Sequence, residues 1–236
     1  ASNTTASNNT AIGTSVLLTN TTGYDNTGIG FQALYYNTDG YDNTALGVNA
    51  LFNNTTGELN TAVGRSALEN NTTADSNNAF GRRALYANTT GAQNSAFGYL
   101  ALYQNTTASY NTAIGTSSMQ NNTTGANNTA LGYTALDACT TGPANTAVGK
   151  GSGGVITTGA DNVCVGSEAG DNLTTGSQNI MLGNSTSLSA AGGTNQSCLG
   201  INVTCVGNGN FTFGDGTVDS NIANGATSIT APSDVR

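Results

Sequence analysis

Asn60-Thr61-Ala62-Val63-Gly64-Arg65-Ser66-Ala67-Leu68, entered through the polar corner Asn54-Thr55-Thr56-Gly57, is one copy of a phrase that recurs along the whole chain. Its glycine returns every 17 residues, at Gly13, Gly30, Gly47, Gly64, Gly81, Gly98, Gly115, Gly132, Gly149, Gly166, Gly183 and Gly200. Self-similarity at a fixed short period is the signature of a solenoid, in which each repeat buries its apolar face only against its neighbours. The apolar residues fall in short clusters bounded by Asn, Thr and Gly, with no helical spacing across ten or more residues. That is the punctuation of strands and corners.

The phrase therefore predicts an all-β protein, a parallel β-solenoid or β-roll with one coil per 17 residues. Each coil is expected to carry two short strands, Thr61–Val63 and Ser66–Leu68, and a longer corner. Coils stacked at a strand spacing of about 4.8 Å would build a rod of about 55–60 Å. The coil glycine supplies a conformation or a close approach that a Cβ would obstruct. The residue before it is always large and apolar, from Ile12 and Ile29 to Leu182 and Leu199, and is expected to line the interior. The Asn that opens each coil, as at Asn26, Asn43 and Asn60, is expected to form a column of amides bonded along the axis. The interior is mostly Ala with one or two larger side chains per coil, which favours burial of a second apolar face in a homotrimer.

Three segments follow: a repeat shaft over 1–183, shortened terminal coils over 184–214, and a non-repeat segment over 215–236. The Ala-Leu pair gives way to Lys150-Gly151-Ser152-Gly153-Gly154 after Gly149, and the spacing Gly200, Gly207, Gly214 suggests a period of seven. The chain opens Ala1-Ser2-Asn3 without Met or a signal-like apolar segment, as a piece of a longer protein or a processed product would.

Composition narrows the function classes. Thirteen acidic against five basic residues give a net charge of −8, with 8% charged residues and no His or Trp. A nucleic-acid partner needs a clustered basic surface, which is missing. No apolar run approaches the 18 or so residues of a membrane span, so no membrane insertion is expected. Without His the usual nucleophile–His–acid triad is excluded. The scattered acids Asp25, Asp39, Asp42, Glu58 and Asp75 read as turn residues rather than as a glycosidase pair. No catalytic residue, cofactor site or metal site is assigned. Cys164, Cys198 and Cys205 sit two residues before a glycine and read as small buried side chains, whereas Cys139 takes a corner position and is expected to be exposed. No disulfide framework is expected.

Asn-x-Thr sequons at Asn20, Asn54, Asn71, Asn88, Asn105 and Asn122 are open to glycosylation or are simply the corner's own chemistry. The column five residues after the glycine holds Tyr35, Phe52, Tyr86 and Tyr103, rings that either stack on sugars or pack between chains. Arg65 and Arg82 are expected to be solvated near an acid such as Glu69. The Thr-Thr pairs lie in corners, where adjacent side chains diverge, which disfavours the flat Thr face of an ice-binding solenoid.

The phrase Asn-Thr-Ala-(Ile/Leu/Val)-Gly-x-x-Ala-Leu-x-x-Asn-Thr-Thr-Gly, over about residues 9–183, resembles the repeats of phage tail-fibre-like proteins. Its core Ala-Ile-Gly-x-x-Ala is also similar to the head repeats of trimeric autotransporter adhesins, which form β-rolls in trimers with shorter coils. The ending Ser233-Asp234-Val235-Arg236 resembles the start of the intramolecular chaperone domain of phage tail fibres, which cuts itself off at a Ser-Asp bond. The resemblance implies a homotrimeric fibre of a virion, attached to a host cell-surface glycan or protein, with Ser233 and Asp234 as a candidate processing site. The alternative is a bacterial surface adhesin or extracellular appendage.

Overall fold

The alternation in Thr61-Ala62-Val63 makes a strand whose central Ala points inward while both neighbours point out, and every coil repeats it. The computed structural model describes residues 6–223. Its strands are β1 Thr10–Ile12, β2 Thr27–Ile29, β3 Thr44–Leu46, β4 Thr61–Val63, β5 Asn78–Phe80, β6 Ser95–Phe97 and β7 Thr112–Ile114. They continue as β8 Thr129–Leu131, β9 Thr146–Val148, β10 Val163–Val165, β11 Ile180–Leu182, β12 Ser197–Gly200, β13 Phe211–Gly214 and β14 Ser220–Ile222. All fourteen join in one sheet in chain order, and no helix occurs among the described residues. The fold is a parallel β-solenoid of about 12 turns with 17-residue coils.

Register is uniform from β1 to β12. Thr61 lies beside Thr44 and Asn78, and Ala62 beside Ala45 and Ala79. The glycine column stands at φ between +131° and +147°, a region closed to most L side chains. A Cβ on Gly81 would also lie 2.4 Å from the carbonyl oxygen of Gly98 in the next coil. Both the dihedral and the stacking distance therefore demand glycine.

The second predicted strand is not a strand. Ser66 and Leu68 sit at φ +59° and +50°, and the same left-handed positions recur in the other coils. The physical reason is side-chain direction: in a β-strand, adjacent residues point to opposite faces. Ala67 and Leu68 are adjacent yet both fully buried, which the alternating turn conformation allows. Coil-to-coil bonding continues through this segment, with Leu34 N donating to Ala50 O at 3.0 Å and Gln32 N to Thr14 O at 3.0 Å.

The inside of the rod differs from expectation as well. The large residue before the glycine faces out: Ile12, Leu46, Phe80, Ile114 and Leu131 are all exposed. The interior is filled by Ala one residue earlier, by the Ala-Leu pair and by two Asn columns. The three-residue strand explains this, since only its central side chain can point inward.

The rod ends differently too. Coil spacing stays at 17 through β12, where Ser197 lies beside Ile180, then shortens once to 14, where Ser197 lies beside Phe211 and Gly200 beside Gly214. Among the described residues there is no coil of seven residues. Gly207 lies in a turn inside that last coil. β14 then folds back antiparallel on β13 and covers its free edge. Cys198 and Cys205 are disulfide-bonded across the interior of this coil, contrary to the expectation of separate thiols. The loss of the Ala-Leu pair after Gly149 leaves the sheet unbroken through β9, β10 and β11.

Candidate functional site

Two buried Asn columns run inside the rod, one opening each coil from Asn26 to Asn179 and one at the corner from Asn20 to Asn122. The column that opens each coil caps backbone: Asn43 Nδ2 donates to Gly57 O at 2.8 Å, and Asn43 Oδ1 accepts from Asn60 N at 3.0 Å. As expected, this column also bonds amide to amide along the axis in places, with Asn60 Nδ2 donating to Asn43 Oδ1 at 3.2 Å and Asn162 Nδ2 to Asn145 Oδ1 at 2.9 Å, but the unbroken amide ladder is the corner column. Asn37 Nδ2 donates to Asn20 Oδ1 at 2.9 Å, Asn54 to Asn37 at 2.7 Å, Asn71 to Asn54 at 2.9 Å and Asn88 to Asn71 at 2.9 Å. Asn105 and Asn122 extend it at 2.8 and 3.0 Å. These are the sequon asparagines. They are buried, and the nitrogen that would carry a glycan is consumed by the ladder.

The ladder stops at Asn122, whose Oδ1 has no partner, because the next coil offers Cys139. Cys139 is fully buried, not exposed. Burial pushes its thiol up to about 11, and that of Cys164 up to about 12. Both are poor nucleophiles, since the thiolate is the reactive form.

The outer surface carries ordered columns at strand spacing. The rings proposed for contact with another surface are half-buried and pair within the chain: Tyr35 with Phe52 at 5.2 Å between centroids, Tyr86 with Tyr103 at 5.3 Å. On the outer sheet face Phe80 and Phe97 stack at 4.8 Å with 5° between planes. Arg82 lies over the Tyr99 ring at 5.7 Å rather than beside an acid. Among the described residues the one ion pair joins Lys150 and Glu168 at 3.1 Å.

A groove of about 640 Å³ runs along the corner over the first coils, lined by Tyr36, Asn53, Asn70 and a row of threonines. The threonine hydroxyls are turned along the axis: Thr38 Oγ1 donates to Thr55 O at 3.1 Å and Thr55 Oγ1 to Thr72 O at 3.0 Å.

The acids are spread over the corners. Asp75 Oδ1 accepts from Glu58 N at 2.9 Å. The Thr22 hydroxyl, aided by Thr21 and Thr38, holds the Asp39 carboxyl below its ordinary value. The Glu58 carboxylate beside Tyr41 pushes that phenol up to about 12. Among the described residues no three His, Cys, Asp or Glu side chains gather where they could hold a metal ion. Among the described residues no helix is long and apolar enough to cross a membrane. Ser233 and Asp234 lie outside the described residues. Comparison with known protein families, with characterised proteins and with solved structures found no match to this chain.

Proposed function

We propose that this chain is the shaft of an extracellular fibre, a phage tail fibre on the virion, built as a homotrimer and contributing to attachment to a host-surface glycan or protein. The observation that carries this reading is the constant register: parallel pairing advances by one coil from β1 to β12 without a slip. Such a rod transmits position along its length and presents columns rather than a single cleft. Asp39 and Asp75 accept hydrogen bonds in the corners and the remaining acids are scattered along the rod, which supports a structural rather than an enzymatic reading. The resemblance of the repeat to tail-fibre repeats is what favours a virion over a cell surface in this proposal. The bacterial adhesin is distinguished by the coding sequence downstream of Arg236, which would encode an outer-membrane anchor instead of a chaperone domain.

Solution scattering and sedimentation test the shaft directly. An elongated particle three chains in mass, with a β-type circular dichroism spectrum, is expected. A compact or helical particle would overturn the proposal. Immunogold labelling of virions with antibodies against the coils tests the location, and label confined to bacterial surfaces would favour the adhesin.

A further inference from the structure

The outer face of the sheet is built from two side-chain columns. The first residue of each strand is mostly Thr, and the third is Ile, Leu, Val or Phe in every coil from Ile12 to Leu199. Neither column contains a charged residue in any of these strands. The apolar column is never buried, and Ile12 is 59% and Leu131 44% exposed. An apolar stripe of that length on a polar rod marks an interaction surface. Twelve strands at about 4.8 Å by a width of about 13 Å, about four residues of strand, give about 750 Å². A stable interface of standard size takes about 800 Å² from each partner.

Two features identify what covers it. The stripe repeats at strand spacing, so only another stack of strands can meet it knob for knob along its length. The stripe also has rims of opposite charge. On the side where the chain leaves the strand stand Arg65 and Arg82, one residue after the coil glycine. On the side where it enters stand Glu58 and Asp75, six residues before the glycine of the same two coils. Asp25 and Asp42 continue the acidic rim, and no base interrupts it. Among the described residues, none of Arg65, Arg82, Glu58 and Asp75 forms an ion pair within the chain.

Symmetry then fixes the direction. Copies related by rotation about an axis along the rod bring the leaving rim of one against the entering rim of the next. Arg65 meets Glu58 and Arg82 meets Asp75 at the same height. Copies related by a twofold across the rod bring acidic rim to acidic rim and repel.

We infer that the outer sheet face is the contact between copies of this chain, packed parallel and in coil register, with Arg65 and Arg82 of one copy against Glu58 and Asp75 of the next. This rests on the shaft reading above and names its assembly surface. It moves the contact away from Tyr35, Phe52, Tyr86 and Tyr103.

The test combines sedimentation mass with cross-linking on the whole chain. Wild type is expected at a multiple of 23.5 kDa. Ile114→Lys with Leu131→Lys is expected at monomer mass with the β spectrum intact, while Gln104→Lys on the corner leaves the assembly unchanged. Arg65→Glu is expected to weaken assembly about tenfold, and Glu58→Arg in the same chain to restore it. Because any variant can lose its fold, Ile114→Cys provides a gentler readout. Under mild oxidation it should link to Ile114→Cys of another copy, whereas Leu46→Cys mixed with Leu182→Cys should give no mixed product. Assembly that survives both lysines, or mixed linkage between those coils, overturns this contact and leaves the shaft reading standing. A monomeric wild type overturns both.

Discussion

At the residue scale, the chemistry is set by what each inward position can satisfy. The corner ladder serves each amide twice, once along the axis and once on its own turn, as with Asn88 Nδ2 to Asn71 Oδ1 and to Gly91 O at 2.8 Å. A buried acceptor left alone costs about 1–3 kcal/mol, so a ladder is best ended once. The chain does this at Asn122 and continues the same column with Cys139, Ile156 and Leu173, all apolar and buried. Thiol labelling follows from this burial. Native protein should show no reactive thiol, and denaturation without reductant should expose two, Cys139 and Cys164. Reduction should raise the count to four. A count of four without reductant would remove the Cys198–Cys205 bond. Asp137 gives the pH-dependent case. Partial burial raises its carboxyl above the ordinary value of 3.8, and its Oδ1 lacks a partner. A raised folded-state pKa means the stabilising contribution is complete at low pH and is lost as pH climbs through the folded value. Asp137→Asn should therefore stabilise by up to about 0.5 kcal/mol at pH 7 and give no gain at pH 3. Urea midpoints at the two pH values decide it, and an equal gain at both would assign the effect to something other than ionisation.

At the element scale, one coil is a three-residue strand, a left-handed turn segment and a corner, and the parts trade volume. In most coils Leu sits four residues after the coil glycine, at φ +49° to +53° from Leu17 to Leu136, and Asn or Cys sits three residues later. At Gly153 and Gly170 the first position is glycine, and Ile156 or Leu173 occupies the second. A Cβ on Gly153 would lie 3.0 Å from both Ile156 Cδ1 and Leu136 Cδ2, so the larger side chain has changed address within the same space. Gly153→Leu alone should destabilise by about 1–3 kcal/mol through overpacking. Ile156→Asn alone should cost a comparable amount by removing buried apolar volume. The double variant should be clearly more stable than the sum, and a double-mutant cycle in urea measures the coupling. Additive costs would refute the exchange. This trade was visible in the sequence as Lys150-Gly151-Ser152-Gly153-Gly154 followed by Ile156, yet it read as decay of the repeat. The period, the coil glycine and strands such as Thr61–Val63 were legible because each depends on one spacing. The direction of Val63 was not, because an apolar column reads as core whether it faces the interior or a partner. The turn at Ser66–Leu68 was hidden for a related reason. Left-handed φ at Ser and Leu has no compositional mark, and only the adjacency of two apolar residues hinted that alternation had stopped.

At the scale of the whole molecule, stability is a sum over neighbouring coils, with special terms at the ends. The far end carries the shortened coil, its disulfide and the antiparallel β14, while every coil between β2 and β11 meets near-identical neighbours on both sides. An interior coil is therefore dispensable as a unit and indispensable as a length. Removing residues 95–111 takes out one full period, from the start of β6 to the residue before β7, and sets Asn94 directly before Thr112. Ser95 and Thr112 already occupy equivalent register positions, so β5 should pair with β7 as it now pairs with β6. The shortened rod should keep its β spectrum, lose about 4.8 Å of length in solution scattering, and melt at a slightly lower temperature. Removing residues 95–110 instead shifts everything beyond it by one residue. Every inward Ala would then exchange places with an outward Thr or aliphatic residue, and the coil glycines would fall where their neighbours need side chains. That variant should lose cooperative melting. If the two deletions behaved alike, the rod would be held by composition rather than by register, and the twelve-coil architecture would lose its physical basis.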